Sequence, residues 1–343
     1  MSFINAQPIL DAALATLNAC RIPDTPYHRP HAEDDAAPQK PQEVPPEVPQ
    51  AHPQATAHAV HLSYMLNIFP GRPERRSALV QILQEGLDGH AGLHTLQLDA
   101  PILPEACAAV SALECFDLLP VRTPSTLRDE LIIVQLPKRL DALPWDESPQ
   151  SAARQAAAAF GILTLCGEAG PAWEQGWFDW LQSHANADTG LLDLWDPTPQ
   201  QLYGHWTLLP HLQAYLPLLC TYIHARRPHP NPWRLIDTLL DMLEINWHMF
   251  HEAADGRELA PVLALARSLR LTAHRHEEAR NLLRRFAHRH IRHLLQEADT
   301  GNMEHLAETR KIIATLAELQ IALPGFVRTR RPMRPLCDRH VWI

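Results

Sequence analysis

From about residue 60 to residue 325, one helical pattern follows another. After Asn231-Pro232, the residues Ile236, Leu240, Leu243, Trp247 and Phe250 keep a 4-3-4-3 spacing. That spacing puts them in one apolar stripe along one helix face. Asn231 is expected as the cap and Pro232 as the first helical residue. Leu259, Val262, Ala266 and Leu269 predict a second helix. Leu283, Phe286, His290, Ile291 and Leu294 predict a third, capped by Thr272. Leu306, Ile312, Leu316, Leu319 and Leu323 predict a fourth, stopped by Pro324-Gly325. Upstream, Trp173, Trp177, Trp180 and Leu181 form an aromatic stripe at the same spacing. Leu131–Val134 alone has strand-like composition, and it also fits a buried helix. With 13 Gly in 343 residues and abundant Leu and Ala, the reading is all-α.

Composition changes near the N-terminus. Residues 22–58 hold nine prolines among Gln, Glu, Ala and His, and read as a linker. Before it, Phe3, Ile4, Ile9, Leu10, Ala13, Leu14 and Leu17 recur at helical spacing. The expected organisation is a docking helix over 1–21, a Pro-rich linker over 22–58, a helical-repeat domain over 59–325 and a loosely ordered basic tail over 326–343.

An internal repeat is the most specific signal. The stretch Phe178–Gly190 ends in Leu-Gln and then Ala-Asp-Thr-Gly, and Ile291–Gly301 does the same. Ile82–Gly89 is a third copy, and Leu243–Asn246 a degenerate fourth. With one more unit near Gln135, the period is roughly fifty to sixty residues, or two helices per unit. Each copy is expected to close a helix, with Asp accepting freed backbone donors and Gly supplying a left-handed turn.

Helices ending in Gln followed by Asp-Gly or Thr-Gly at this period resemble the α/α-toroid superfamily. It includes squalene–hopene-type terpenoid cyclases and protein prenyltransferase β-subunits. The resemblance implies an α/α toroid-like array of repeated helix pairs around a cavity that takes a hydrophobic small molecule. The chemistry of the relatives does not carry over. There is no DxDD; Asp193-Leu-Trp-Asp196 has a different spacing. The pair Asp34-Asp35 lies in the Pro-rich segment and is followed by Ala-Ala-Pro. A zinc set of Asp, Cys and His, or a lanthionine-cyclase Cys–His pair, is not recognisable.

Several constellations remain as candidates. Glu244, His248 and His251 share one helix face at i, i+4 and i+7, a spacing compatible with zinc. They equally fit the polar flank of the stripe through Trp247, and no metal or other cofactor is predicted. Asp188, Asp193, Asp196, His205 and His211 complete the set of acid–base candidates around a cavity. Trp195, Tyr203, Trp206 and Trp247 are candidate ligand-facing aromatics, and they also read as ordinary core. Between Arg267 and His293 stand eight Arg and five His against two acids. Arg284 and Arg285 on this face are candidate phosphate contacts, or a surface for an acidic partner.

The net charge of −9 divides into −14 over residues 1–200 and +5 over residues 201–343. The basic C-terminal portion therefore suits a protein partner, while the lack of interleaved aromatics argues against sequence-specific nucleic acid binding. The six cysteines are scattered without a CxxC, and the N-terminus lacks a basic secretory leader. No run of apolar residues is long enough to span a bilayer. A cytoplasmic location is expected. GxSxG, P-loop, GxGxxG and HExxH motifs are all absent. The functional expectation is a toroid-like enzyme acting on a hydrophobic small molecule in specialised metabolism, of cyclase, transferase or lyase type. The alternative is a non-catalytic helical-repeat scaffold.

Overall fold

A computed structural model describes residues 3–20, 52–69, 71–89, 92–132, 135–194, 208–251, 256–300 and 305–338. The described chain is almost wholly helical. The helices are α1 (Gln7–Ala19), α2 (Pro53–Met65), α3 (Pro73–Asp88), α4 (Leu103–Glu114), α5 (Ser125–Glu130), α6 (Leu136–Asp141) and α7 (Pro149–Leu165). They continue with α8 (Pro171–Ser183), α9 (Leu208–His224), α10 (Pro232–His251), α11 (Leu259–Ser268), α12 (His276–Thr300) and α13 (Leu306–Ala322). Two-residue strands, β1 (Ile4–Asn5) and β2 (Val327–Arg328), pair in parallel.

Much of the proline content is spent on helix starts. Pro8, Pro53, Pro73, Pro104, Pro137, Pro149, Pro171 and Pro232 stand at the first or second position of their helices. There the missing N–H has no intrahelical role, and the fixed φ already suits the helix. This is why α2 begins at Pro53, inside the stretch expected as linker. The rest of that stretch, residues 21–51, lies outside the described residues.

Helix packing follows a regular circuit. α2 packs on α4, α4 on α7, α7 on α9, α9 on α11, α11 on α13, and α13 on α2, which returns the series to its start. Other helices lie against members of this series: α3 against α2 and α4, α10 against α11, and α1 against α12 and α13. Beyond its first two turns α7 is buried on every side from Gln155 to Leu163, with Ala156–Ala159 fully buried. Such a helix belongs in an interior. The Trp stripe of α8 meets α7 at Phe160, whose ring lies 5.8 Å from Trp173, 5.0 Å from Trp177 and 5.7 Å from Phe178.

The termini are tied together. Ile4 N–H donates to Phe326 C=O at 2.8 Å, and Ala6 N–H to Arg328 C=O at 2.9 Å. Met333, Leu336 and Cys337 are buried. The segment expected as a loose tail is therefore structured as far as Asp338. At the other end, Phe3 and Leu14 are exposed, and Ile4 is in β1 rather than α1.

The copies of the sequence repeat do not share one local structure. In the first, Asn186 Oδ1 accepts from Asp188 N–H and Thr189 N–H, both at 2.8 Å, and Gly190 adopts φ +73°. The turn expected there forms, but Asn186 rather than Asp188 folds it. The second copy lacks that Asn, and α12 continues through Ala298, Asp299 and Thr300. The third ends α3 at Asp88, followed by a Gly89 at negative φ. Leu243–Asn246 lies inside α10. Thr272 does not cap α12; its Oγ1 accepts from His274 N–H, and the helix begins at His276. Asn231 sits at φ +49°, with its side chain donating to Asn186 C=O at 3.4 Å. Leu131 is buried at the end of α5 and Ile132 is 46% exposed, while Ile133 and Val134 lie outside the described residues.

Candidate functional site

All six helices of the packing circuit send residues to one cleft of about 410 Å³. α2 supplies Gln54 and His58, α4 Glu105, α7 Gln150 and Arg154, α9 Gln213, and α13 Arg310 and Lys311. Gly256 and Arg257, just before α11, complete its polar rim. Apart from Leu216 and Pro217 of α9, the lining positions fall in the first two turns of the helices as described or immediately before them. The cleft thus lies at the N-terminal ends of the series, where free N–H groups and the helix dipoles favour negative charge.

The side chains carry the same sign. The charged residues lining the cleft are Arg154, Arg257, Arg310 and Lys311 against Glu105. Arg310 is 5% exposed, and burial pushes its guanidinium down to about 10. A desolvated cation is costly, and an anion beside it offsets that cost. Arg310 Nη1 donates to His61 Nδ1 at 3.3 Å. Arginine cannot accept, so Nδ1 accepts, and Nε2–H of His61 donates to Ser111 Oγ at 2.8 Å. Ser111 in turn donates to Ala108 C=O at 3.0 Å. This chain fixes His61 as one neutral tautomer and braces Arg310 from behind.

His58 faces the cleft with its pKa well below the ordinary histidine value. Burial is the main cause, and the positive Arg310 and Lys311 add to it. It is therefore neutral at pH 7 and binds a proton less readily than an ordinary histidine. Glu105 Oε2 is shielded from solvent and has no hydrogen-bond partner among the described residues. Gln150 Nε2 donates to Gln213 Oε1 at 2.8 Å and bridges α7 to α9 at the rim. Gly256, at φ +78°, packs so closely on Lys311 that an added Cβ would stand 2.3 Å from the lysine Cβ.

The candidates drawn from the sequence lie elsewhere. Asp188 and Asp193 are exposed in the turn after α8, where Asn186 Nδ2 donates to both Asp193 oxygens at 2.9 Å. His211, on α9, is lowered by burial, and the nearby Asp193 opposes the shift. Glu244 is exposed and faces Arg285 at 3.9 Å. Arg284 donates to Asn281 Oδ1 at 2.7 Å on the same outer surface. Trp195, Asp196, Tyr203, His205 and Trp206 lie outside the described residues, as do the side chains of Trp247, His248 and His251. Among the described residues, no three His, Cys, Asp or Glu side chains cluster as a metal site. No described helix is long and apolar enough to cross a membrane.

One further ionisable pair is wholly buried. His290 Nε2 stands 3.2 Å from Glu258 Oε1, with both side chains at 0% exposure. The imidazole stacks on Phe286 at 5.0 Å. His290 was expected in this apolar stripe, and Glu258 was not anticipated.

The cleft residues had a faint signature in the sequence. Arg154 interrupts an alanine run, and Arg310-Lys311 interrupts the apolar pattern of α13. Their convergence depends on helices far apart in the chain. Compared with protein-family models, curated proteins and solved structures, the chain matches none.

Proposed function

We propose that this chain is an α/α-toroid-like enzyme that takes a small acidic molecule into the mouth of its ring. One observation carries the reading: all six helices of the packing circuit contribute to a single cleft in which four cations face one carboxylate. The circuit supports the toroid, because each helix of the series meets the next and the last meets the first. The N-terminal placement and Arg310 support an anionic ligand. A bound anion beside His58 would offset the field of Arg310 and Lys311 and make its imidazole more basic, which supports a role for it in proton transfer. The scaffold alternative needs no such convergence.

Isothermal titration of the full chain with inorganic phosphate tests the reading. Arg154→Gln and Lys311→Gln are expected to weaken binding about tenfold each, the value of a charge-assisted hydrogen bond. Arg285→Gln, on the outer surface, is expected to leave it unchanged. Absent binding, or equal loss in all three variants, overturns the proposal.

A further inference from the structure

We propose that the ligand is an acidic amphiphile, with its head in the cationic cleft and its hydrocarbon chain in an apolar pocket beside it. The inference rests on the anion reading above. A second cavity of about 410 Å³ lies between α2, the end of α3 and the segment leading into α4. Pro53, Leu87, Leu93, Leu96, Ile102 and Ala109 give it an apolar wall. Among the described residues no Lys or Arg lines it, in contrast to the cleft.

The two cavities share residues. Gln54 of α2 and Glu105 of α4 line both. Gln54 and Glu105 stand between the two cavities, so a molecule with its head between Arg154, Arg310 and Lys311 would reach the hydrocarbon surroundings by passing them. The pocket's shape depends on close backbone approach. A Cβ on Gly86 would stand 2.4 Å from Pro53 Cβ, so only glycine lets α3 come this near the start of α2. A purely polar anion would leave this apolar surface unfilled, and a purely apolar ligand would bring nothing acidic to the basic cleft.

Titration of the full chain with inorganic phosphate, then with monoalkyl phosphates from methyl to octyl below their micelle concentrations, tests the inference. A parallel series of alkyl carboxylates identifies the head. Affinity is expected to rise roughly three- to fourfold for each methylene that enters the pocket. Ile102→Ser is the decisive variant, because Ile102 is 48% exposed at the pocket rim and the change removes apolar surface without adding a charge beside the cleft. It is expected to flatten the chain-length dependence and leave inorganic phosphate binding intact, with a thermal melt confirming folding. Phosphate binding with no chain-length dependence in either series overturns the amphiphile and leaves the anion reading standing. A chain-length slope unchanged by Ile102→Ser overturns the assigned pocket. No binding of phosphate or of any alkyl probe overturns both.

Discussion

Arg267 on α11 and Glu318 on α13 form a two-pronged ion pair inside the protein. Nε donates to Oε2 at 2.9 Å and Nη2 donates to Oε1, with the side chains 7% and 3% exposed. The remaining Nη1 donates to Asp338, beyond β2. One guanidinium thus joins two neighbours of the packing circuit to the C-terminal segment. Removing one member strands a buried charge. Arg267→Met, which leaves the buried Glu318 carboxylate without its guanidinium, is expected to cost about 3–5 kcal/mol, and adding Glu318→Leu to recover most of it. Urea unfolding of the single and double variants checks this; equal losses in both would refute it.

His229 predicts a pH dependence. Its ring lies buried between Ser268 Oγ, 3.1 Å from Nε2, and Pro230 C=O, 3.1 Å from Nδ1, and burial lowers it to about 4. The unfolded chain binds a proton near pH 6.5, before the folded chain does. Its contribution is complete above about pH 6.5 and is lost as pH falls towards 4, amounting to about 3 kcal/mol. Unfolding free energies measured from pH 7.5 to 4 should fall with acid. His229→Gln should flatten part of that slope.

Gly190 is expected to be intolerant of any side chain. At φ +73° it packs on the first turn of α10, where an added Cβ would meet Leu235 N at 2.5 Å and Asn231 O at 2.9 Å. These are backbone atoms and cannot swing aside. Gly190→Ala should cost at least ~2 kcal/mol, combining left-handed strain with the clash. Gly167, also at positive φ but with open space around it, should lose about 1 kcal/mol in the same thermal melt comparison.

The Glu244–Arg285 pair gives the opposite expectation. Both side chains are more than half exposed, at 3.9 Å. Glu244→Ala, Arg285→Ala and the double variant should each stay within about 0.5 kcal/mol of the parent. A double-mutant cycle with coupling above 1 kcal/mol would show that the pair has a structural role after all.

The apolar stripes of α8, α10, α11, α12 and α13 were legible because helix periodicity is written in neighbouring residues. The stop at Pro324-Gly325 was legible for the same reason, with Gly325 at φ +77°. The repeat motif was less informative. Asp-Thr-Gly makes a turn after α8 only because Asn186 folds back on it, and the related Ala-Asp-Thr in α12 stays helical. Prolines were ambiguous too. The same residue type that breaks a helix interior begins eight of these helices.

The sequence by itself determined the all-α class, the buried stripes and the absence of several familiar catalytic motifs, since each depends on residue type and local spacing. Only the tertiary structure decided which charged residues face one another. Arg154 meets Arg310 and Lys311 although more than 150 residues of chain separate them, and Glu244 was turned outward to Arg285. A helix period fixes which side of a helix is apolar. It does not say which helix ends meet, because that follows from how apolar faces far apart in the chain bury one another.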